Sequence, residues 1–155
     1  MRLKTLNALS FVGALLLAGC ASGPKYAEVE PRIPPVPSDQ GRIYVYRPSF
    51  VGAAVQPQVR LNEEVVGKAV AQGFFFIDRE PGDCVIACST EEEHRLSFAL
   101  EPGQVRYVKL ILQMGFFMGH VLPELVDPET GESELAKTKY IGDEGVLLPE
   151  SAPEG

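Results

Sequence analysis

The sequence predicts an all-β fold, a small β-sandwich of about seven short antiparallel strands with one short C-terminal helix. From residue 41 onward, short runs of β-branched and aromatic residues alternate with polar residues and are separated by turn-forming residues. The tripeptide Glu-Pro-Gly also occurs twice between such runs, at residues 80–82 and 101–103. Because roughly 100 residues carry this pattern, they can bury one modest core, and we expect a single sandwich domain at residues 41–140.

The first half of this domain predicts an opening strand, a hairpin and a central strand. Residues 43–46 are β-branched and aromatic, and residues 58–61 and 65–68 flank an Asn-Glu-Glu connection that favours a hairpin. Residues 74–77, Phe-Phe-Phe-Ile, are apolar on both faces. Such a strand needs cover on both sides, so we expect it in the middle of a sheet.

Each Glu-Pro-Gly tripeptide predicts a tight turn between strands. Proline sets φ at the second turn position, and glycine accepts the positive φ that a type II turn requires at the third. Between and after these turns we expect strands at residues 84–89, 94–100 and 105–112, the latter two with an alternation typical of half-buried strands.

The C-terminal part predicts a short helix and a tail. The Asp127 side chain can accept hydrogen bonds from the free amides of a first helical turn, and Pro128 suits the first helical position. We expect a helix from there towards Lys137. Residues 141–155 are acidic and contain glycine and proline, so we expect a mobile acidic tail.

The first twenty residues predict an export signal followed by a lipid anchor. Arg2 and Lys4 precede an apolar run at residues 11–17 that is too short to span a bilayer as a helix. The tetrad Leu17-Ala18-Gly19-Cys20 resembles the bacterial lipobox, whose cysteine becomes the first mature residue and carries fatty acyl chains such as palmitate. We therefore expect residues 1–19 to be a signal peptide and Cys20 to be the lipid-anchor residue.

The residues after Cys20 predict where the protein is sorted. Ala21 and Ser22 follow the cysteine with no adjacent aspartate, which is similar to lipoproteins sorted to the outer membrane of double-membrane bacteria. We expect a cell-envelope protein, lipid-anchored in the outer membrane and facing the periplasm. An ordinary secreted protein cut near Ala18 and Gly19, or an uncleaved N-terminal anchor, is the alternative, and both leave Cys20 without a role.

The charge balance argues against nucleic acid as a partner. The full chain has 14 basic and 21 acidic residues, a net charge of −7. Removing residues 1–19 takes away Arg2 and Lys4, which leaves 12 basic against 21 acidic residues and a net charge of −9. An acidic surface is repelled by phosphates and by anionic headgroups. Membrane attachment would therefore depend on the covalent lipid at Cys20.

Residues 20–40 predict a proline-rich tether. Prolines stand at positions 24, 31, 34, 35 and 37 among charged residues. This composition favours an extended, polyproline-like segment that could reach on the order of 60 Å. It is either a spacer towards a partner or the cell wall, or a disordered leader.

Cys84 and Cys88 are the only cysteines besides Cys20, and the periplasm is oxidising. On one extended strand their Cα atoms would lie about 13 Å apart, beyond the roughly 7 Å limit for a disulfide. Either the strand bends and a small loop disulfide forms, or both remain buried thiols. A metal site with His94 lacks the close ligand pairs of common zinc motifs, so we assign no metal and no cofactor.

Two further segments have a structural and a functional interpretation. Residues 91–93, three glutamates, favour a solvated hairpin tip because they lack the ligand alternation of a calcium loop. Residues 115–119, Gly-Phe-Phe-Met-Gly, favour a core strand and its turn. The alternative for residues 115–119 is an exposed aromatic loop that docks a partner or lipid, which a large apolar surface patch would indicate.

The sequence shows no catalytic motif of the serine-hydrolase, zinc-protease or phosphate-binding kind. His94 and His120 are the available imidazoles, and Ser89 and Ser97 have no partner visible in the sequence. Because triads assemble from distant residues, this lowers the expectation of an enzyme without removing it. We assign no catalytic residues.

Several segments in order resemble one bacterial lipoprotein family, domain of unknown function 2846 (DUF2846). They are Gly73-Phe74-Phe75-Phe76-Ile77-Asp78, Pro81-Gly82-Asp83, Pro102-Gly103, Gly115-Phe116-Phe117 and Pro123-Glu124-Leu125. The resemblance covers roughly residues 41–140. The arrangement of strand, Pro-Gly turn and strand is also similar to transthyretin-like and carboxypeptidase-regulatory-like sandwiches. The family resemblance implies an envelope lipoprotein with a β-sandwich and no catalytic residues to transfer. The Cys84 and Cys88 pair is not a feature of that family.

Three functions follow as hypotheses. The first is a non-catalytic interaction or structural module, anchored through Cys20, whose partner is another envelope protein. The second is a binder that holds a small apolar ligand between the sheets, and an interior apolar cavity of several hundred Å³ would favour it. The third is a periplasmic hydrolase, which clustered polar groups in a cleft would favour.

Overall fold

The computed structural model describes residues 19–150, which form a β-sandwich of two sheets, as predicted. The strands of these residues are β1 (Gly41–Tyr46), β2 (Gln58–Leu61), β3 (Glu64–Lys68), β4 (Gly73–Arg79), β5 (Gly82–Ser89), β6 (Glu93–Leu100), β7 (Val105–Met114), β8 (Gly119–Val126) and β9 (Lys139–Tyr140). The helices are α1 (Tyr26–Val29) and α2 (Pro128–Leu135), with 3-10 turns at Glu30–Arg32 and Glu144–Val146. None of these helices is long and apolar enough to cross a bilayer. The predicted signal peptide, apart from Gly19, lies outside the described residues.

The larger sheet has the strand order β8-β7-β1-β4-β9, with β1 at its centre. All six residues of β1 are buried, and β4 lies beside it as expected for its apolar sequence. The expectation of purely antiparallel strands is wrong here, because β1 pairs in parallel with β7 and β4 pairs in parallel with β9. Between β1 and β7 the chain adds β4 to the larger sheet and forms the four strands of the smaller sheet. It then enters β7 in the direction of β1, so the two strands are parallel.

The smaller sheet has the order β3-β2-β5-β6 and is antiparallel throughout. The predicted hairpin of β2 and β3 is confirmed. Its two-residue turn places Asn62 at φ 47° and Glu63 at φ 70°. These left-handed values match the twist of the flanking strands, as type I′ hairpin turns do.

The two Pro-Gly segments both carry the chain from one sheet to the other. The second forms the predicted turn, with Gly103 at φ 72° and the Gln104 amide donating to the Glu101 carbonyl over 3.1 Å. The first differs, because Gly82 has φ 144° and is already the first residue of β5. An identical tripeptide thus closes a turn in one place and opens a strand in the other.

Strand β8 was missed by the count of about seven strands, and so was the two-residue β9. The sequence of β8 contains Pro123, which cannot donate a ladder hydrogen bond. Strand β8 lies at the edge of the larger sheet, where a residue without an amide proton is tolerated. The edge position is a property of the tertiary fold and explains why the pattern did not predict this strand.

The core has two parts, one on each face of the larger sheet. The part between the sheets is formed by aliphatic residues, phenylalanines and the two buried cysteines, among them Ile43, Val45, Ile86 and Leu110. The part on the outer face is aromatic and is covered by α1, α2 and the C-terminal segment, with Tyr44, Tyr46, Phe74, Tyr107 and Tyr140 at its centre. Alternate residues of β1 enter the two parts, which explains why the whole strand is buried.

The segment 20–40 differs from the predicted extended tether. It contains α1 and a 3-10 turn, and Val29 is fully buried in the outer core. Arg42 donates a 2.7 Å hydrogen bond to the Pro34 carbonyl and pairs through two hydrogen bonds with Asp78. Proline content therefore misled the interpretation, because fixed φ angles suit a close-fitting strap as well as a free spacer.

The C-terminal segment is also more ordered than predicted. Helix α2 starts as expected, with the Asp127 side chain accepting from the Thr130 amide over 2.9 Å. Beyond it, Leu147 is buried in the outer core and the Leu148 amide donates to the Arg32 carbonyl over 2.7 Å. Residues 141–148 thus pack onto the sandwich, while residues 151–155 lie outside the described part.

Candidate functional site

The strand directions give the sandwich two ends. Strands β1 and β7 are parallel, so Tyr46 and Met114 lie at the same end of the larger sheet. The tip of the β5-β6 hairpin lies there too, because the Thr90 hydroxyl contacts His120 Nδ1 over 3.2 Å next to the start of β8. Both Pro-Gly segments lie at the opposite end.

Large apolar side chains are exposed at the first end, which we call the apolar end. Its members are Phe50, Val51, Met114, Phe116, Phe117 and Met118. Phe116 and Phe117 are 90% and 86% exposed. The expectation that residues 115–119 form a core strand and turn is therefore wrong, and the alternative of an exposed aromatic loop is correct for this segment.

The side chains of the loop between β7 and β8 are exposed because the loop is only four residues long, residues 115–118. The ladder stays paired up to Met114 and Gly119, and the Gly115 amide donates to the Met118 carbonyl over 2.9 Å. A Cβ atom on Gly115 would overlap the Met118 carbonyl and the His120 ring. The backbone therefore turns tightly just beyond the sheet, and the rings of Phe116 and Phe117, 4.7 Å apart edge to face, project past its end.

Arg47 holds the other loop of the apolar end in place, the 48–57 loop between β1 and β2. Its side chain is 1% exposed and donates to four carbonyls, those of Val51, Gly52, Val55 and Ala69, over 2.6–2.9 Å. Among residues 19–150 no carboxylate pairs with it, and burial lowers the pKa of its guanidinium. Sequence reasoning missed Arg47, whose only signal is a cation directly between the buried strand β1 and Pro48.

The two exposed loops are packed against each other through Leu112. A Cβ atom on Gly52, which has φ 65°, would overlap the Leu112 side chain. A Cβ atom on Gly119 would lie 2.8 Å from the other methyl of Leu112. Leu112 therefore lies between the 48–57 loop and Gly119, the residue of β8 that directly follows the 115–118 loop.

The predicted anchor residue, Cys20, also lies at the apolar end. Cys20 pairs in parallel with Ala71, and the Ala21 amide donates to the Ala71 carbonyl over 2.9 Å. Gln56 of the 48–57 loop donates to the Gly19 carbonyl over 2.9 Å. Cys20 is half-buried at this position. The sequence placed Cys20 on a free tether, whereas the fold holds it against the body.

The two histidines meet beside the hairpin tip. Their ring centroids are 5.6 Å apart, and His120 Nε2 lies 3.8 Å from a Glu91 carboxylate oxygen. The Ser89 hydroxyl donates to Glu93 over 3.0 Å, so it belongs to the exposed ion-pair network of the hairpin. The fold thus brings together Thr90, His120 and Glu91, and leaves Ser97 on the exposed face of β6.

Cys84 and Cys88 are free thiols on the buried face of β5, one of the two outcomes left open by the sequence. Burial raises the pKa of the Cys88 thiol to about 12 and also raises that of Cys84. Within residues 19–150, no group of three or more acidic, cysteine or histidine residues is arranged to hold a metal ion. The chemistry of both cysteines is therefore that of small apolar core residues.

A groove of about 360 Å³ opens at one edge of the sandwich, between β3 and β4. Val65, Val66, Val70, Phe75 and Ile141 contribute most of its apolar lining. A Cβ atom on Gly67 would lie 2.7 Å from the Phe75 ring, so a larger residue at this position would close the groove. The groove is open to solvent and is not an interior cavity.

Comparison with known proteins places the chain among proteins of unknown function. The family model described as "Protein of unknown function (DUF2846)" matches residues 37–121, which run from the end of the proline-rich strap to the start of β8. An uncharacterized protein of Haemophilus influenzae is 27% identical over 135 residues, which cover 83% of this chain and 80% of that protein. The matched region contains most of both sheets and more than half of the chain, and the chain belongs to the DUF2846 family.

Proposed function

We propose that this protein is a lipoprotein of the bacterial envelope, anchored by acyl chains on Cys20 and acting as a non-catalytic interaction or structural module. It is exported by residues 1–19, sorted to the outer membrane and exposed to the periplasm. Its partners are the bilayer, through the covalent lipid, and another envelope protein.

The observation that carries the proposal is the lipobox-like tetrad together with the position of its cysteine against the sandwich. Cys20 is the cysteine of that tetrad, and it pairs in parallel with Ala71. Cleavage before Cys20 would leave strands β1 to β9, all within residues 41–140, in the mature chain. The partly exposed position of Cys20 is compatible with acyl chains on its sulfur and amino group.

A non-catalytic role is supported by the contacts and burial of the residues that could serve as a catalytic base or nucleophile. His120 Nε2 is 3.8 Å from Glu91, too long for the hydrogen bond that would orient a catalytic base. The Ser89 hydroxyl serves an ion-pair network, and the thiols of Cys84 and Cys88 are buried with raised pKa values. If a Thr90→Ala variant abolished an ester or amide hydrolysis found in the purified protein, the third hypothesis would replace this one.

The test of the anchor is detergent-phase partition and intact-mass analysis of the full chain expressed in a double-membrane bacterium. We expect the mature protein to start at Cys20, to carry the mass of its acyl chains and to enter the detergent phase. A Cys20→Ser variant should lose both properties. Cys84→Ser is the matched control, since it also removes one thiol but should stay acylated and membrane-bound.

A mature mass without acyl chains, or a Cys20→Ser protein that enters the detergent phase as well as the wild type, would refute the anchor. The interaction role is tested by crosslinking in living cells followed by purification. We expect the same envelope protein in repeated experiments, and its loss in a non-acylated variant that is no longer held at the membrane.

The second candidate, an apolar-ligand binder, would use the edge groove between β3 and β4. A ligand there would contact Val66 and Phe75, and a Gly67→Leu substitution would fill the space. Extraction of the purified protein with organic solvent tests this function. A small apolar molecule that co-purifies with the wild type and is lost in Gly67→Leu, with no protein recovered by crosslinking, would favour the binder.

A further inference from the structure

We propose that the apolar end inserts into the same bilayer that holds the acyl chains of Cys20, so that the sandwich stands on the membrane by this end. The proposal rests on the acylation of Cys20 proposed above. It adds a second membrane contact, made by the side chains of Phe116, Phe117 and their neighbours.

The position of Cys20 brings the bilayer to this surface. Ala21 is 5% exposed and its amide is bonded to Ala71, so no free chain separates the anchor from the body. Acyl chains on Cys20 must nevertheless reach the hydrocarbon interior of the bilayer. The end of the sandwich that carries Cys20 therefore lies at the membrane surface, whichever way the rest of the domain is turned.

The exposed side chains at this end have the chemistry of a membrane-inserting surface. Of the nine large apolar residues exposed within residues 19–150, six belong to the apolar end. The other three, Val65, Val146 and Leu148, lie elsewhere, and Val65 is on β3, the edge strand of the smaller sheet farthest from β6. Aromatic and aliphatic side chains gathered in this way indicate an interaction surface, and here the surface is already next to lipid.

The loops that carry these residues are held in place before any contact with lipid. Arg47 binds three carbonyls of the 48–57 loop, and the Gly115 amide closes the 115–118 loop on Met118. Ordered loops lose little conformational entropy on insertion. Because Leu112 contacts both Gly52 of the first loop and Gly119 at the end of the second, the two loops would enter the bilayer together.

The negative charge of the protein indicates that apolar contacts, and not ion pairs with headgroups, attract the apolar end to the bilayer. Glu91 and Glu92 form the hairpin tip at this end, and the mature chain is acidic, so anionic headgroups would repel it. Insertion therefore depends on the aromatic and methionine side chains, and it should be strongest in zwitterionic bilayers.

The sequence contains no tryptophan, so one introduced tryptophan is the only indole fluorophore of the protein. We would purify the acylated full chain with Phe116→Trp or, as the matched control on the edge strand β3, Val65→Trp. Each protein is reconstituted in phosphatidylcholine vesicles whose acyl chains carry bromine atoms. We expect the Phe116→Trp emission to shift to the blue and to be quenched by the brominated chains, and the Val65→Trp emission to do neither.

A second measurement removes the inserted side chains. The double variant Phe116→Ser/Phe117→Ser changes only exposed positions and should fold normally. We expect the acylated double variant to transfer between vesicles at least about tenfold faster than the wild type, because two aromatic side chains no longer hold it. Val65→Ser is the control and should transfer at the wild-type rate.

The outcomes separate this proposal from the one on which it rests. An acylated, vesicle-bound protein whose Phe116→Trp emission is no more quenched than that of Val65→Trp would overturn insertion and leave the Cys20 anchor intact. A protein without acyl mass would overturn the anchor itself and, with it, the reason for insertion. Protection of Phe116→Trp from iodide in native envelopes but not in vesicles would assign the surface to a protein partner and overturn the proposal.

Discussion

The amide of Ala21 donates a 2.9 Å hydrogen bond to the carbonyl of Ala71, which fixes the residue after Cys20 against the segment that precedes β4. This contact decides how the anchor and the body are related. On a free tether the sandwich could take any orientation above a membrane. Held at Ala71, an acylated Cys20 would present the apolar end to the bilayer.

Arg47 should be the most sensitive residue of the apolar end. We expect Arg47→Met to lower the free energy of unfolding by about 2–4 kcal/mol, because it leaves the carbonyls of Ala69 and of the 48–57 loop without donors. Relief from burying a charge offsets part of this loss. Urea unfolding followed by circular dichroism measures the difference.

Arg106→Met is the control for Arg47→Met. Arg106 is half-buried and also donates to a backbone carbonyl, that of Ala99, but these hydrogen bonds are exposed to solvent, so the change should cost less than about 0.5 kcal/mol. Equal stability of Arg47→Met and the wild type would show that the 48–57 loop does not need its buried cation.

Gly131 tests the contact between α2 and the larger sheet. A Cβ atom at this position would overlap the ring of Tyr107. We therefore expect Gly131→Ala to destabilise the protein by about 1–3 kcal/mol, although alanine favours helix by about 1 kcal/mol over glycine. Ser133→Ala, on the exposed face of the same helix, should be neutral or slightly stabilising, and thermal unfolding of both variants would reveal the opposite signs.

Glu134 should make stability depend on pH in the acid range. Burial disfavours its charged form, but hydrogen bonds from Lys109 and Tyr46, at 2.6 and 2.7 Å, outweigh burial and lower the pKa of this carboxyl. Because the folded pKa lies below the unfolded value of about 4.3, the stabilisation is complete above that pH and is lost as the pH falls through the folded pKa.

The Glu134→Gln variant should be about 1–2 kcal/mol less stable at pH 7, since a neutral amide accepts these hydrogen bonds less strongly. It should also lose less stability than the wild type between pH 5 and pH 3. Glu101→Gln, at an exposed turn, should follow the wild-type curve. Identical curves for Glu134→Gln and the wild type would contradict a role for this ion pair.

The thiols of Cys84 and Cys88 should be inert in the folded protein. Thiolates are the reactive species, and burial raises the pKa of both groups. We expect iodoacetamide to label neither cysteine in native buffer and both in urea without a reductant, as read by mass spectrometry of peptides. Failure to label in urea until a reductant is added would instead reveal a disulfide.

Local chemistry in the chain sufficed to predict much of the fold. Alternation in residues 94–100 and 105–112 predicted β6 and β7, and the capping signal at Asp127 predicted the start of α2. These features depend on neighbours within a few residues, so one sequence carries the information. The same holds for the lipobox-like tetrad ending at Cys20, which remains a prediction.

Long-range packing decided what the pattern could not. Gly115-Phe116-Phe117-Met118-Gly119 has the composition of a core segment, yet it is exposed because β7 and β8 stay paired up to its ends and leave only a short connection beyond the sheet. The prolines of residues 20–40 suggested a free tether, yet the outer face of the larger sheet needed an apolar cover, which Val29 helps to provide. Whether an apolar residue is buried depends on which surfaces the completed sandwich leaves open, and that is settled only when strands distant in sequence pair.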